Sequence, residues 1–473
     1  MKILLINPKS LGKTIYSPWI QLGLAHISSY LKEHGYTKIK GIDMSMLQDW
    51  SQFEHEIKNF DPDVVGIHVN TVNYNNALKV AKKVKSINSK IIINVGGPHP
   101  TIFPKDVLKE KYFDVSVFGE GEITFLEFIQ AIEKGYDLEN IRGLCYKKDN
   151  KIIQNKERPP IENINMLPFP DRDLFNIKEI LKIPPNYPQY CSYPFTDMLT
   201  SRGCPFNCKF CQPTERMIFG KKVRWRDVDN VIEEVDFLIE KYKLKHIMFS
   251  DDTFTIKKEW LKRLASELKR RDITWECQSR ADSINDDVAK ILKKSGCILL
   301  NFGIESGSSR ILNFLNKGTT PQQNKDALKL CRKTKLLSWA SVLIGVPGET
   351  LTDIEQTDRL LNETKPDFIS ASMLSPIPGT YLYDWAKERN LIMVKDKHWE
   401  VFDRGNPKEK LKLNIDIKTI HYYQKRWQRN NFKLDPYFIK NDYYRSSIYQ
   451  RMKSHIKERH FKALLYQLLG MVL

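Results

Sequence analysis

The sequence predicts an α/β protein in three parts: a doubly wound N-terminal domain (residues 1–150), a six-stranded partial (β/α)6 barrel (198–395) and a basic helical C-terminal region (396–473). Three observations predict it. Short runs of β-branched residues alternate with helical periods in two separate stretches, as parallel sheets with crossover helices require. A proline-rich stretch without period, residues 151–197, divides them and reads as a linker. Finally, 473 residues are too many for one ordinary core at roughly 150 residues per domain.

In the first stretch, KILLINP, DVVGIHV, KIIINVGG and DVSVFGEGE have strand character, and IQLGLAHISSYLKEHG, ALKVAKKVKSI and ITFLEFIQAIEKG have helical periodicity. The opening MKILLINPKS reads as a buried strand and not a signal peptide, because Asn7 and Pro8 break the apolar run and no small-residue cleavage site follows. Rossmann-like sheets of this kind bind ligands beyond the carboxyl ends of their strands. Polar and glycine-rich positions fall there: Asn7, Asp43, Asn70, Thr71, Gly96, Gly97, His99, Gly119, Glu120 and Gly121. Each alone is ordinary turn chemistry. Together they outline a crevice whose glycines permit close backbone approach to a bulky ligand.

In the second stretch DMLTSRGC, HIMFSDD, TWECQSRAD, ILLNFGIES, WASVLIGVPGE and DFISASMLSPIPG read as strands, and each but the last is followed by a helical period. Six such units cannot close an eight-fold barrel, so a partial barrel is expected, with its chemistry at the strands' carboxyl ends.

Composition excludes other classes. No apolar run reaches the ~18 residues that a membrane span needs. Eight cysteines are too few for a disulfide scaffold, and Cys145, Cys191, Cys277, Cys297 and Cys331 lie singly among apolar neighbours, as small buried hydrophobes do. A reducing, cytoplasmic setting is expected. The net charge is +18, and the last 70 residues carry 16 Lys or Arg against 5 Asp or Glu. From Ser446 onward Ile448, Met452, Ile456, Leu464, Leu465, Leu468, Leu469 and Val472 make an apolar stripe with lysine and arginine mostly off it. Such a helix either packs on the barrel or adsorbs to the anionic inner face of a membrane, where it would suit a lipid or other hydrophobic substrate. Tyr422, Tyr423 and Trp427 among basic residues could stack on nucleic acid, but no nucleic-acid module accompanies them and this ranks lower.

The remaining three cysteines carry the chemistry. Cys204, Cys208 and Cys211 stand in C-x3-C-x2-C spacing in one loop after a strand. Three thiolates so spaced can each hold one iron of a 4Fe-4S cubane and leave the fourth iron open. The amino and carboxylate groups of S-adenosylmethionine can chelate such an iron, and one electron then breaks the sulfonium C–S bond. Zinc is the structural alternative, yet it needs a fourth ligand, and no Cys or His follows until His246.

This loop, with Phe210 before its last cysteine, resembles the radical S-adenosylmethionine superfamily, and the downstream strand ends agree in order. The resemblance implies contacts to the co-substrate from Asp251 and Asp252, from Arg280, from Glu305 and Ser306 in GIESGS, and from Gly345 and Gly348 in LIGVPGE. IINVGGPHPT and VFGEGE are similar to the cobalamin-binding domain that precedes the barrel in one large subclass. The D-x-H-x-x-G loop is absent, and neither His68 nor His99 stands in one, which implies cobalamin without a histidine below the cobalt, or a domain that has lost it. The subclass implies an enzyme that methylates an unactivated carbon, served by a flavodoxin- or ferredoxin-like electron donor. Radical cyclisation, rearrangement or C–C coupling without methyl transfer is the alternative within the superfamily, and a non-catalytic cobalamin or redox sensor is the alternative outside it. Transfer-RNA methylthiolation is discarded, because residues 1–144 lack the second cysteine trio.

Overall fold

The structure is a computed structural model and describes residues 1–9, 20–181, 194–211, 213–394, 398–402 and 409–428. The first sheet holds β1 (Ile3–Asn7), β2 (Ile39–Asp43), β3 (Val64–His68), β4 (Ile92–Gly96), β5 (Val115–Val117), β6 (Leu144–Lys148) and β7 (Lys151–Gln154). Their order is β2-β1-β3-β4-β5-β6-β7, parallel through β5 and antiparallel beyond it. The order reverses between β1 and β3, so a crevice opens beyond Asn7 and His68. All five residues of β1 are buried, as a strand covered by helices on both faces requires.

The β6–β7 hairpin corrects the expected linker. Asp149 and Asn150 adopt positive φ, as a two-residue hairpin turn demands, and residues 151–154 therefore belong to the first sheet. The rest of the proline-rich stretch is packed and not loose. Ile161, Ile164, Leu167, Phe175 and Ile177 enter the main core, and Arg172, 2% exposed, donates to Thr196 and Glu234.

The second sheet starts at β8 (Phe195–Met198), three residues ahead of the expected boundary. A short antiparallel pair, β9 (Ser201–Arg202) and β10 (Arg224–Trp225), follows it. Then β11 (His246–Phe249), β12 (Thr274–Ser279), β13 (Cys297–Glu305), β14 (Leu337–Ile344) and β15 (Phe368–Met373) complete six parallel strands in the order β15-β14-β13-β12-β11-β8. Helices Val228–Tyr242, Lys258–Leu268, Asp286–Lys294, Pro321–Thr334 and Leu351–Thr364 cross over between them, as expected. Thr320 with Gln323 and Thr350 with Asp353 close capping boxes at two helix starts, each contributing about 1 kcal/mol. Strand alternation sorts the sheet's faces. Phe249, Cys277, Phe302 and Val342 are buried toward the helices, whereas Met248, Gln278, Asn301 and Ser341 face inward and stay partly exposed.

Helix Ile417–Gln428 lies on β15 with Ile420 and Trp427 buried, and Trp427 Nε1 donates to Asp358 at 2.9 Å. Trp427 is thus a core residue and offers no stacking face. The basic helix expected from Ser446 lies outside the described residues. No helix among the described residues is long and apolar enough to cross a membrane.

Candidate active site

The cysteine loop leaves the carboxyl end of β8 and is tied down at once. Asp251, beyond β11, accepts from Thr200 N and Thr200 Oγ1, each at 3.0 Å, and from Ser201 Oγ. Burial pushes the Asp251 carboxyl up to about 6. Asp251, expected at the co-substrate, is instead a staple beneath the loop, while Asp252 next to it is exposed.

Gly203 turns the chain toward the cysteines with φ +95°, and a Cβ there would lie 2.7 Å from Lys222 O. Backbone bonds then fix the loop. Lys209 N donates to Leu315 O at 2.9 Å, Leu382 N to Lys209 O at 3.0 Å, and Cys211 N to Cys208 O at 3.2 Å. Cys204 and Cys208 are half-buried, and Cys211 stands at the rim with one side open to solvent. Burial pushes the Cys211 thiol up to about 12, assisted by Asp252, Cys208 and Cys204, so the three sulfurs act on one locality. Among the described residues no group of three His, Cys, Asp or Glu is arranged around a single metal ion, as tetrahedral zinc requires. A cubane takes each thiolate at a different corner, and this donor set fits one.

Beside the loop, Arg280 leaves β12 and stacks on the Phe206 ring, 3.6 Å from its centroid. Its Nη2 donates to Lys317 O at 2.8 Å and pairs with Asp282 at 2.9 Å. Lys317 Nζ reaches Glu305 Oε1 at 2.9 Å, both side chains being buried. Gly303 makes room for this pair, because a Cβ would stand 2.5 Å from Glu305 Oε1 and 2.6 Å from Lys317 Nζ. Ser306, expected beside Glu305, turns toward the helix layer and meets Thr357 Oγ1 at 3.1 Å. Gly345 and Gly348 bend the loop after β14 with positive φ, and Glu349 Oε2 accepts from Gly345 N at 2.7 Å. Burial pushes the Glu349 carboxyl up to about 7. Lys317 was missed in the sequence, where Asn-Lys-Gly after a short helix reads as a turn.

At the first sheet, Asn7 Nδ2 donates to Asp43 Oδ2 at 2.9 Å, and Lys9 pairs with the same oxygen at 3.0 Å. Asn70 and Asn73 exchange two bonds of 2.8 Å, which shapes the loop after β3. Thr71 Oγ1 lies 3.2 Å from His99 Nδ1, and the His99 ring packs among Tyr74, Phe103 and Trp399. Burial holds His99 down at about 4, a neutral ring. His99, expected as a cofactor contact, is thus held in an aromatic box. Gly96 and Gly97 follow β4, with Gly97 packed against His68, while Gly119 has positive φ and open space where a Cβ would stand. That open backbone, at the carboxyl end of β5 on the same edge of the sheet, is a surface that a flat macrocycle can approach.

Glu120 departs furthest from expectation. Its carboxylate accepts from Arg202 Nη1 at 2.8 Å, from Arg224 Nη1 at 2.9 Å and from Ile161 N at 2.6 Å, while Glu122 takes Arg202 Nη2 at 2.6 Å. Both oxygens of Glu120 are spent on the cysteine-loop side of the molecule, and Gly121 begins helix Gly121–Lys134 against Ile27. Helix Pro98–Ile102 also packs on helix Pro213–Ile218, which follows Cys211. The carboxyl ends of the two sheets therefore meet.

A model of the radical SAM superfamily matches residues 198–361, and a model of the B12 binding domain matches residues 8–129. An uncharacterized methyltransferase of Pyrococcus horikoshii is 38% identical over 419 residues, covering 87% of this chain and 88% of that protein. The chain belongs to the radical SAM superfamily, in its B12-binding subclass. As a radical SAM enzyme it uses a 4Fe-4S cluster and S-adenosylmethionine, with cobalamin in the first domain, and it needs a reductant and an organic substrate. An anaerobic magnesium-protoporphyrin IX monomethyl ester cyclase of Rubrivivax gelatinosus is 28% identical over 400 residues, 81% of this chain and 69% of that protein. The cobalamin-dependent radical enzyme OxsB, solved with aqua-cobalamin and S-adenosylmethionine, shares the fold at TM-score 0.73, with 19% identity over 99% of this chain and 75% of that one.

Proposed function

We propose that this radical SAM enzyme is a cobalamin-dependent C-methyltransferase acting on an unactivated carbon. In this reading residues 1–154 hold cobalamin, residues 195–394 hold the cluster and S-adenosylmethionine, and the packed proline-rich segment joins them. Cys204, Cys208 and Cys211 ligate the cluster. Asp252, Arg280, Lys317, Glu305 and the loop 345–348 border S-adenosylmethionine. Asn7, Asp43, Asn70, Thr71, Gly96, Gly97 and Gly119 border cobalamin, with no histidine below the metal. When bound, the cluster and S-adenosylmethionine supply hydrogen abstraction, and cobalamin supplies a transferable methyl group. The protein's own work is positional. Asp251 and Gly203 aim the cysteine loop, and the Lys317–Glu305 pair presents charge at the barrel's inner rim.

The observation that supports this reading most directly is the join between Arg202 and the Glu120/Glu122 pair. It sets the base of the cysteine loop against the strand ends of the B12-binding domain, as a methyl group handed from one crevice to the other requires. A flavodoxin- or ferredoxin-like protein is the proposed electron donor, and the basic tail is proposed to adsorb to anionic membrane. Co-sedimentation with anionic liposomes that persists after removal of the tail would refute that last point.

The test is product analysis on the anaerobically reconstituted protein with reductant. S-adenosylhomocysteine formed alongside 5'-deoxyadenosine is expected. Stoichiometric 5'-deoxyadenosine alone would favour radical cyclisation, the reading that the Rubrivivax relative's name suggests.

A further inference from the structure

The inward face of the six-stranded sheet holds a floor with two buried acids, Asp197 and Glu276, set among apolar residues, which the cofactor contacts do not use. Strand register defines it: Asp197 pairs with Met248, Met248 with Glu276, Glu276 with Leu299, and Leu299 with Leu337. Registered neighbours in a sheet share a face, so these five side chains point the same way. Two contacts show that they point inward. Thr196, adjacent to Asp197 and so on the opposite face, accepts from Arg172 at 3.1 Å beside Glu234 of helix Val228–Tyr242. Phe195, on the face of Asp197, packs with Leu299 and Leu337 in a small cluster separate from the core under the helices.

Asp197 is 8% exposed, and its Oδ1 has no hydrogen-bond partner. Arg172, whose charge acts on it, is engaged on the other face by Thr196 and Glu234. One step lower on the same face, His246 is fully buried, its Nε2 makes no hydrogen bond but lies 4.0 Å from Glu276 Oε2, and its Nδ1 lies 2.9 Å from Thr274 Oγ1. Burial holds that imidazole neutral, so it supplies no positive charge to the carboxylate. Above the floor the inward positions Gln278, Asn301, Ser341 and Ser370 are polar and partly exposed, and none of the inward positions on the six strands is Lys or Arg. An acid buried without a partner is retained where a cation or strong donor meets it.

We infer that the organic substrate carries an ammonium or similar protonated nitrogen, received by Asp197, with the charge of Glu276 two strands away on the same face, at the floor of the barrel beneath a wall of amide and hydroxyl groups. This rests on the methyltransferase reading above and adds a substrate class to it. The site differs in kind from the hydrophobic substrate that the basic tail suggested.

The experiment uses the full chain, reconstituted anaerobically and loaded with S-adenosylmethionine, and three probes of one skeleton: phenethylamine, 2-phenylethanol and 3-phenylpropionate. Calorimetry is expected to show the amine binding about tenfold more tightly than the alcohol, as a charge-assisted contact provides, and no binding of the carboxylate. D197N and E276Q should each reduce that preference. Equal binding of amine and alcohol, no saturable binding of the amine, a preference for the carboxylate, or a preference that survives in both variants would overturn the inference. The comparison in the unaltered protein decides the question even where a variant fails to fold. Reductive cleavage of S-adenosylmethionine is read in the same preparation. Its absence would refute the enzyme reading, whereas cleavage without amine preference refutes this inference alone.

Discussion

Arg202 and Glu122, 80 residues apart in the chain, meet through a 2.6 Å bond between Nη2 and Oε1, both side chains buried. Arg202 is two residues before Cys204, and Glu122 stands in the first turn of the last helix of the B12-binding domain. Burial opposes ionising Glu122, yet the Arg202 charge wins and holds its carboxyl below the usual range. The pair thus joins one domain's strand ends to the other's reactive loop. Removing Glu122 leaves Arg202 with Glu120 alone, a carboxylate it shares with Arg224, so Glu122→Ala is expected to destabilise the protein by about 1–3 kcal/mol in urea unfolding. A loss under 1 kcal/mol would show that the join carries little.

Cys208→Ala is expected to abolish reductive cleavage of S-adenosylmethionine while leaving the fold intact. Cys208 is half-buried in a loop, and its neighbours Lys209 and Cys211 keep their backbone bonds without its sulfur. Iron and sulfide content, measured beside far-ultraviolet circular dichroism, separates cluster loss from unfolding. Retained stoichiometric iron and sulfide with turnover would remove this cysteine from the ligand set.

Gly203→Ala adds a Cβ at a backbone angle reserved for glycine and 2.7 Å from Lys222 O. Strain of this kind costs about 1–3 kcal/mol. Because the strain falls beside Cys204, thermal stability and cluster occupancy should drop together.

Glu305→Gln removes the charge that pairs with Lys317 at 2.9 Å. The KM for S-adenosylmethionine should rise about tenfold, the effect of one charge-assisted bond, with iron content unchanged. An unaltered KM would place the co-substrate elsewhere.

Glu349 predicts a pH dependence of stability. Burial lifts its carboxyl from 4.5 to about 7, so the folded state favours the neutral acid. That contribution is full below about 4.5 and is lost as pH rises to about 7, amounting to about 3 kcal/mol by linkage. Glu349→Gln, which cannot ionise, should therefore lose less Tm than the parent between pH 5 and pH 7. Parallel Tm profiles would contradict the assignment.

Much of this molecule was legible in the chain because it is written in local patterns. Strand runs and helical periods predicted two parallel sheets, since side-chain alternation at period 2 or 3.6 is a property of the backbone alone. The C-x3-C-x2-C spacing predicted the cluster loop, since donors for one cubane must come from a few adjacent residues. The side-chain partners of Asp251, Ser306, His99 and Glu120 were not legible for one shared reason. Residue type and strand-end position do not say which way a side chain turns or what it meets.

Only the tertiary structure decided those partners. Glu120 reaches Arg202 and Arg224 across 82 and 104 residues, and Lys317 meets Glu305 beneath Gly303 only after a short helix folds back. The floor made by Asp197 and Glu276 exists only once six strands stand in register. The sequence by itself determined the elements and the thiol trio, because those depend on neighbours along the chain. Which buried charges pair and which remain to receive a ligand depended on packing two sheets end to end, because a buried charge is stable only beside a partner that the fold delivers.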